Sequence, residues 1–379
     1  MARKTLLVLV IAAVAAVVIA LLLMKPHQPK SVTIGFIGPL SGDNAVFGIP
    51  QRNAAQLAVD EINERGGVLG RRLILVVEDD RADPKTAVSG AQKLTSSKDV
   101  IAVIGHPNSG CAIPASKVYN DSGVVFLTTT ATNPKLTQQG YKYIFRFAPT
   151  DDVQGFSIAE FIFRKLGHKS VVLLHDNGAY GKGIESKVKM RYQQLGGRIL
   201  LEDAINPQSR DFKQILAKVK QFAPSVVFYG GMLPEGTKLV KQAKELGLET
   251  QFVFGDGCYD ETFRKLAGTD CRNVYVSFLA APVEQIPAAK GFYLRYKSRH
   301  GETPSFFAPY AYDAVHLLVR AVQESGSATR ESTLEALRAP GFSFTGVTGP
   351  AKFDERGQAV GKSFYFYTFD ADGKLVLYE

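Results

Sequence analysis

Residues 100–110 read Val100-Ile101-Ala102-Val103-Ile104-Gly105-His106-Pro107-Asn108-Ser109-Gly110, and this stretch decides the fold. Five consecutive apolar residues with no polar alternation mark a strand buried on both faces. A loop of small and polar residues follows and runs into a helical stretch entered around Pro114. The same succession recurs along the chain. Val32–Ile37, Leu73–Val77, Val124–Leu127, Tyr143–Phe147, Val171–Leu174, Ile199–Leu201, Val226–Tyr229, Phe252–Phe254 and Val274–Phe278 also read as strands. Between them lie amphipathic helices: Ala54, Ala58 and Ile62 share one face, and Gly66-Gly67 stops that helix. Phe212, Ile215, Leu216 and Val219 repeat the pattern with lysines opposite. Alternating βα units of this size predict parallel, doubly wound α/β sheets.

Ten strands are too many for one such sheet, and a break at Ala148-Pro149-Thr150-Asp151-Asp152 separates two sets of five. After about Ala280 the pattern changes to long helices over 288–299, 310–325 and 330–339. The chain then ends in hairpin-like segments, Lys352–Asp354 and Lys362–Asp370, with Asp370-Ala371-Asp372-Gly373 as a turn. The expected architecture is two similar α/β lobes with a cleft between them. No 20–50-residue repeat is present, which excludes solenoids and propellers.

The composition agrees: 379 residues, 45% hydrophobic, 21% charged and net charge +9. Four of those nine charges (Arg3, Lys4, Lys25, Lys30) sit in the first thirty residues, which hold no acid. Basic and acidic side chains nearly balance over the remainder, with no arginine-rich tract or aromatic–basic interleaving, so nucleic acid is not an expected partner. Residues 1–30 form a separate unit, with Arg3 and Lys4 before an unbroken apolar run from Leu6 to Met24. This reads as an export signal, yet the run matches the ~20 residues needed to span a bilayer and lacks a small-x-small site at its end. Cleavage and retention as an N-terminal anchor, with membrane contact through residues 6–24, both stay open. In either case residues 31–379 are placed outside the inner membrane.

Ligands of open α/β sheets bind beyond the carboxyl ends of strands, so the loops there carry the functional reading. In the first set they hold Gly38-Pro39-Leu40-Ser41-Gly42, then Phe47, then Ser109, then Thr128-Thr129-Thr130-Ala131-Thr132. In the second they hold His175-Asp176 with Tyr180-Gly181, Gly230-Gly231-Met232 and Gly255-Asp256-Gly257. Hydroxyls and helix N-termini on one wall, with a lone carboxylate on the other, suit a ligand carrying both a carboxylate and an ammonium group. Taken singly, such residues are more often helix caps or turns; their recurrence in both sets favours a site.

At these loops the sequence resembles the periplasmic leucine/isoleucine/valine-binding proteins, type I solute-binding proteins of ABC transporters, from about Val32 to about Asp370. The pieces that carry the resemblance include Gly38-Pro39-Leu40-Ser41-Gly42, Glu61-Ile62-Asn63, Asp79-Asp80 with Asp83-Pro84-Lys85, Val103-Ile104-Gly105-His106, Thr132-Asn133-Pro134, Tyr180-Gly181 and Gly230-Gly231. The resemblance implies two lobes joined by three crossovers and closing on an amino acid. Lobe 1 would comprise 31–150 plus 280–360, and lobe 2 would comprise 151–279 plus 361–379. It further implies that Ser109, Thr130 and Thr132 meet the ligand carboxylate, that Asp256 (glutamate is more usual) meets the ammonium, and that Tyr180 is an aromatic lid. Phe47 and Met232 stand where tyrosines are usual, and Pro107 and Asn108 replace a leucine and a cysteine. The pocket should therefore be more apolar and, at Met232, more deformable.

The resemblance also places the family's lobe-one disulfide at Ala82 and Asn108, where it is lost. Whether Cys258 and Cys271 are bridged stays open at this point. Nothing calls for a metal or cofactor. Gly361-Lys362-Ser363 lacks the earlier glycine of a P-loop, since Arg356 stands there, and Gly341-Phe342-Ser343-Phe344-Thr345 lacks the closing glycine of a nucleophile elbow. The expectation is a non-enzymatic, monomeric periplasmic protein that captures an apolar or branched-chain-like amino acid and delivers it to an inner-membrane ABC permease. A ligand-sensing receptor domain and a binder of a small aromatic acid are the alternatives.

Overall fold

The structure, a computed structural model, describes residues 31–269, 271–280 and 286–378. The export or anchor segment read in residues 1–30 lies outside the described residues. Among the described residues, no helix is long and apolar enough to cross a membrane.

All ten strands read from apolar runs are present. β1 (Ser31–Gly38), β2 (Arg72–Asp79), β3 (Val100–Gly105), β4 (Val125–Thr128) and β5 (Ile144–Arg146) form a parallel sheet in the order β2-β1-β3-β4-β5. β3 and β4 are buried along their whole length, as their unbroken apolar runs require. The edge strand β2 exposes Arg72, Ile74 and Val76. α1 (Ala45–Glu64), α2 (Pro84–Ser96) and α3 (Ser109–Asp121) connect these strands. Asp83 caps α2 by accepting the Thr86 N–H at 2.8 Å, with Pro84 at the first helical position. α3 begins at Ser109 rather than around Pro114. The N–H groups of Cys111 and Ala112 already bond to the Asn108 carbonyl at 3.0 and 2.9 Å, so Pro114 lies inside a helix under way.

The second sheet takes β6 (Ser170–His175), β7 (Arg198–Ala204), β8 (Val226–Gly230), β9 (Gln251–Phe254) and β10 (Val274–Phe278) in parallel. α4 (Asp151–Glu160), α5 (Ala179–Gln194), α6 (Lys213–Gln221) and α7 (Leu233–Glu245) pack around it. The chain then leaves this sheet. α8 (Pro287–His300) and α9 (Ala308–Ser325) pack on α1, and α10 (Arg330–Arg338) packs on α9, β3 and β4.

The C-terminal end departs from the sequence reading. Lys352–Asp354 is not a strand, and Phe353 makes only an isolated bridge to Ala359. Instead β11 (Phe344–Gly346) pairs with β12 (Gly349–Ala351). β13 (Tyr365–Phe369) folds back on β14 (Leu375–Leu377) around Asp370–Gly373 and pairs antiparallel with β10. The second sheet therefore has seven strands, ordered β14-β13-β10-β9-β8-β6-β7, rather than five.

The chain thus changes sheets near residues 147–151, between the described residues Ala280 and Ile286, and near 359–364. Arg146 ties the first and third passages together. Fully buried, it donates to Gln358 Oε1 and to Thr137 Oγ1 at 2.7 Å, and the Gln358 amide donates to the Ala148 carbonyl at 3.0 Å. Each sheet reverses its strand order once, between β1 and β3 in one lobe and between β6 and β8 in the other. Those switch points are where a doubly wound sheet opens a crevice for a ligand.

Candidate ligand site

The residues following the switch-point strands converge on one cavity. It is lined by Phe47, Pro107, Asn108, Ser109, Thr130 and Thr132 from one side and by Tyr180, Met232, Asp256 and Gly257 from the other, with Phe307. All seven residues singled out in the sequence are among them. The cavity is narrow and partly open to solvent.

The first lobe supplies the hydroxyls. Gly105 turns the chain out of β3 at φ +125°, where a Cβ would collide with the Ile37 carbonyl, so only glycine fits. His106 follows, fully buried, with its ring held between Asp80 (2.7 Å) and the Tyr119 hydroxyl (3.0 Å). This pins the loop that starts α3 and places buried Ser109 at its first turn, where free N–H groups favour an anion. In the threonine loop after β4 the roles divide. Thr128 donates to the carbonyls of Gly105 and His106 at 3.1 Å, and Thr129 donates to Gln51 at 2.5 Å. These two are structural, whereas Thr130 and Thr132 face the cavity.

The second lobe supplies the carboxylate. Asp256 opens a short turn after β9 and is buried. Tyr180, in the first turn of α5, donates its hydroxyl to Asp256 Oδ1 at 2.7 Å and accepts the Gly257 N–H at 3.2 Å. The two glycines flanking Asp256 are explained by space. A Cβ at Gly255 would collide with the Tyr180 hydroxyl, and one at Gly257 would stand 2.5 Å from the Gly231 carbonyl oxygen. Burial pushes the Asp256 carboxyl up to about 6, against the pull of the Tyr180 and Gln154 side chains.

One residue of the cavity and one beside it went unnoticed in the sequence. Phe307 caps the start of α9 and meets Phe47 edge-on at 5.6 Å, forming the apolar wall with Pro107 and Met232. Its signal, a phenylalanine immediately before a helix, points to no particular partner. Asp151 opens α4 just past the first crossover, and its N–H donates to the Thr132 carbonyl at 2.9 Å. Its carboxylate is fully buried, with neither oxygen in a hydrogen bond among the described residues. Burial raises it to about 7; the nearby Thr132 side chain opposes this and the charge of Asp256 adds to it. Cys258 and Cys271 are not joined. The Cys258 thiol is buried beside the Gly231 carbonyl, 3.7 Å away.

Two doubly wound lobes presenting their switch points to a shared cavity define a two-lobed ligand-binding protein of the type I architecture. The chain belongs to the periplasmic binding protein family, whose model matches residues 31–374. It is 33% identical over 345 residues to Leu/Ile/Val-binding protein homolog 1 of Brucella abortus, covering 90% of this chain and 92% of that one. To the leucine-, isoleucine-, valine-, threonine- and alanine-binding protein of Pseudomonas aeruginosa it is 34% identical over 342 residues, covering 90% and 91%. Among solved structures it is similar to the branched-chain amino acid transporter substrate-binding protein LivJ of Streptococcus pneumoniae in complex with isoleucine. There the TM-score is 0.82 and the identity 31%, over 91% of this chain and 97% of that one. The resemblance read from the loops is thus borne out, and with it the fold.

Proposed function

We propose that the protein captures an α-amino acid with an apolar, branched-chain-like side chain between its lobes and hands it to an inner-membrane ABC permease. One observation carries this reading: Ser109, Thr130 and Thr132 of one lobe face Asp256 and Tyr180 of the other across a single small cavity. In this reading the three hydroxyls and the start of α3 hold the ligand carboxylate, and Asp256, steadied by Tyr180, holds the ammonium. Phe47, Phe307, Pro107 and Met232 receive the side chain. No chemical step is part of the role. A ligand that touches both lobes stabilises the closed form, because it loses its contacts to one of them when they part. The lobes are taken as residues 31–150 plus 280–360 and 151–279 plus 361–379, and the protein as an exported monomer working in the periplasm.

The test is a thermal-shift screen of amino acids against small aromatic acids, followed by calorimetry of the hits, since a ligand selective for the native state raises the melting temperature. Leucine, isoleucine or valine should give the largest shifts. A shift confined to compounds lacking either the α-carboxylate or the α-ammonium group would overturn the assignment.

A further inference from the structure

Asn133, in the loop after β4, reaches from the first lobe to the second. Its side-chain oxygen accepts the Lys135 N–H at 3.0 Å, which fixes the amide orientation and turns the nitrogen outward. That nitrogen donates to the carbonyl of Ala179, the first residue of α5, at 2.6 Å. The helix is shaped to receive it. One turn on, a Cβ at Gly183 would stand 2.5 Å from the Asn133 amide nitrogen and 3.2 Å from Asp151 Oδ2. Gly183 lies inside a helix, where glycine is otherwise disfavoured, and the space taken by Asn133 accounts for it. On its own side the Asn133 main chain is held firmly. Its N–H donates to Ser109 Oγ at 3.3 Å, and its carbonyl accepts from the buried Arg146. Asn133, Ala179 and Gly183 do not line the cavity. The contact therefore joins the lobes without touching what lies between them.

We propose that Asn133 is a latch for lobe closure. It seats in the notch formed by Ala179 and Gly183 when the lobes meet, leaves it when they part, and stabilises the closed state whatever the ligand. A ligand that needs the closed state binds with an affinity scaled by the fraction of molecules closed. The latch accordingly raises affinity for every ligand by one common factor and does not choose among them. The choice of leucine and isoleucine as probes rests on the amino-acid reading above; the closure measurement does not.

The experiment compares the full chain with Asn133→Ala, which removes the donor, and Gly183→Ala, which fills the notch and leaves Asn133 in place. Single-molecule fluorescence energy transfer between dyes on an engineered surface cysteine in each lobe reads the closed fraction without ligand. Stopped-flow and calorimetry read off-rates and affinities for leucine and isoleucine, and circular dichroism confirms that both variants fold. The effect expected of one ordinary hydrogen bond is roughly 3- to 10-fold. Both variants should lower the ligand-free closed fraction by about that factor. Off-rates and Kd for both amino acids should rise by the same factor, with on-rates unchanged. Unchanged closed fraction and off-rate in both variants overturn the latch, as does a loss confined to one of the two amino acids. Failure of the wild-type chain to bind leucine or isoleucine strikes the amino-acid reading instead, and the closed-fraction comparison still decides the latch.

Discussion

In the proposed reading Asp256 holds the ligand's ammonium group, and its environment sets the conditions under which it would do so. A charge-assisted hydrogen bond contributes about 1.5–3 kcal/mol, so Asp256→Ala should weaken binding of the best amino acid by roughly tenfold or more, as measured by calorimetry. Burial holds the Asp256 carboxyl at about 6 in the empty site. An ammonium group needs the ionised form, so below that value binding must first expel a proton. Affinity should be flat above pH 7 and fall as pH drops through 6, approaching tenfold per unit. Tyr180 donates to this carboxylate and so favours its charged form. Tyr180→Phe should therefore move the midpoint of the pH profile upward. A midpoint unmoved or lowered would show that the phenol does not act on Asp256.

At the scale of elements, the site depends on how closely two of them can approach. The turn carrying Asp256 meets the first turn of α5 only because Gly255 and Gly257 have no Cβ. Gly255→Ala should displace the Tyr180 hydroxyl and cost at least as much affinity as Tyr180→Phe, while circular dichroism shows a folded chain. The strands and most of this cavity were legible because interior parallel strands are buried on both faces, which leaves unbroken apolar runs, and because the residues lining the cavity follow such strands directly. What escaped has physical reasons. The partners of β13 are chosen by tertiary neighbours: β10 lies almost ninety residues earlier, and no local pattern announces it. Pro114 read as a helix start because proline favours the first turn, whereas α3 accommodates it further in. Phe307 reaches the site, and Asp151 the backbone of Thr132 beside it, from a helix start and a crossover that are remote from those loops.

For the molecule as a whole, the two buried carboxylates are expected to couple lobe closure to pH, in the direction opposite to ligand affinity. Burial raises both carboxyls above the ordinary aspartate value of 3.8, to about 6 and about 7; Asp256 faces the first lobe's hydroxyls across the cavity, and Asp151, beside Gly183 of its own lobe, meets Thr132 of the first. A group with a raised pKa in one state binds more protons there, so protonation favours that state. Lowering the pH from 8 to 5 should therefore increase the closed fraction of the empty protein, even while it weakens capture of an ammonium-bearing ligand. Above pH 7 the charged carboxylates favour opening of the empty lobes, until an ammonium group meets Asp256. Asp151→Asn removes one of the two titrating groups. It should raise the closed fraction of the empty protein at pH 8, leave it nearly unchanged at pH 5, and so flatten the dependence. Small-angle scattering of the ligand-free chain across this range reads the outcome. A radius of gyration that stays constant from pH 5 to 8 in the wild type, or a variant whose profile matches it, would show that these carboxylates do not govern closure.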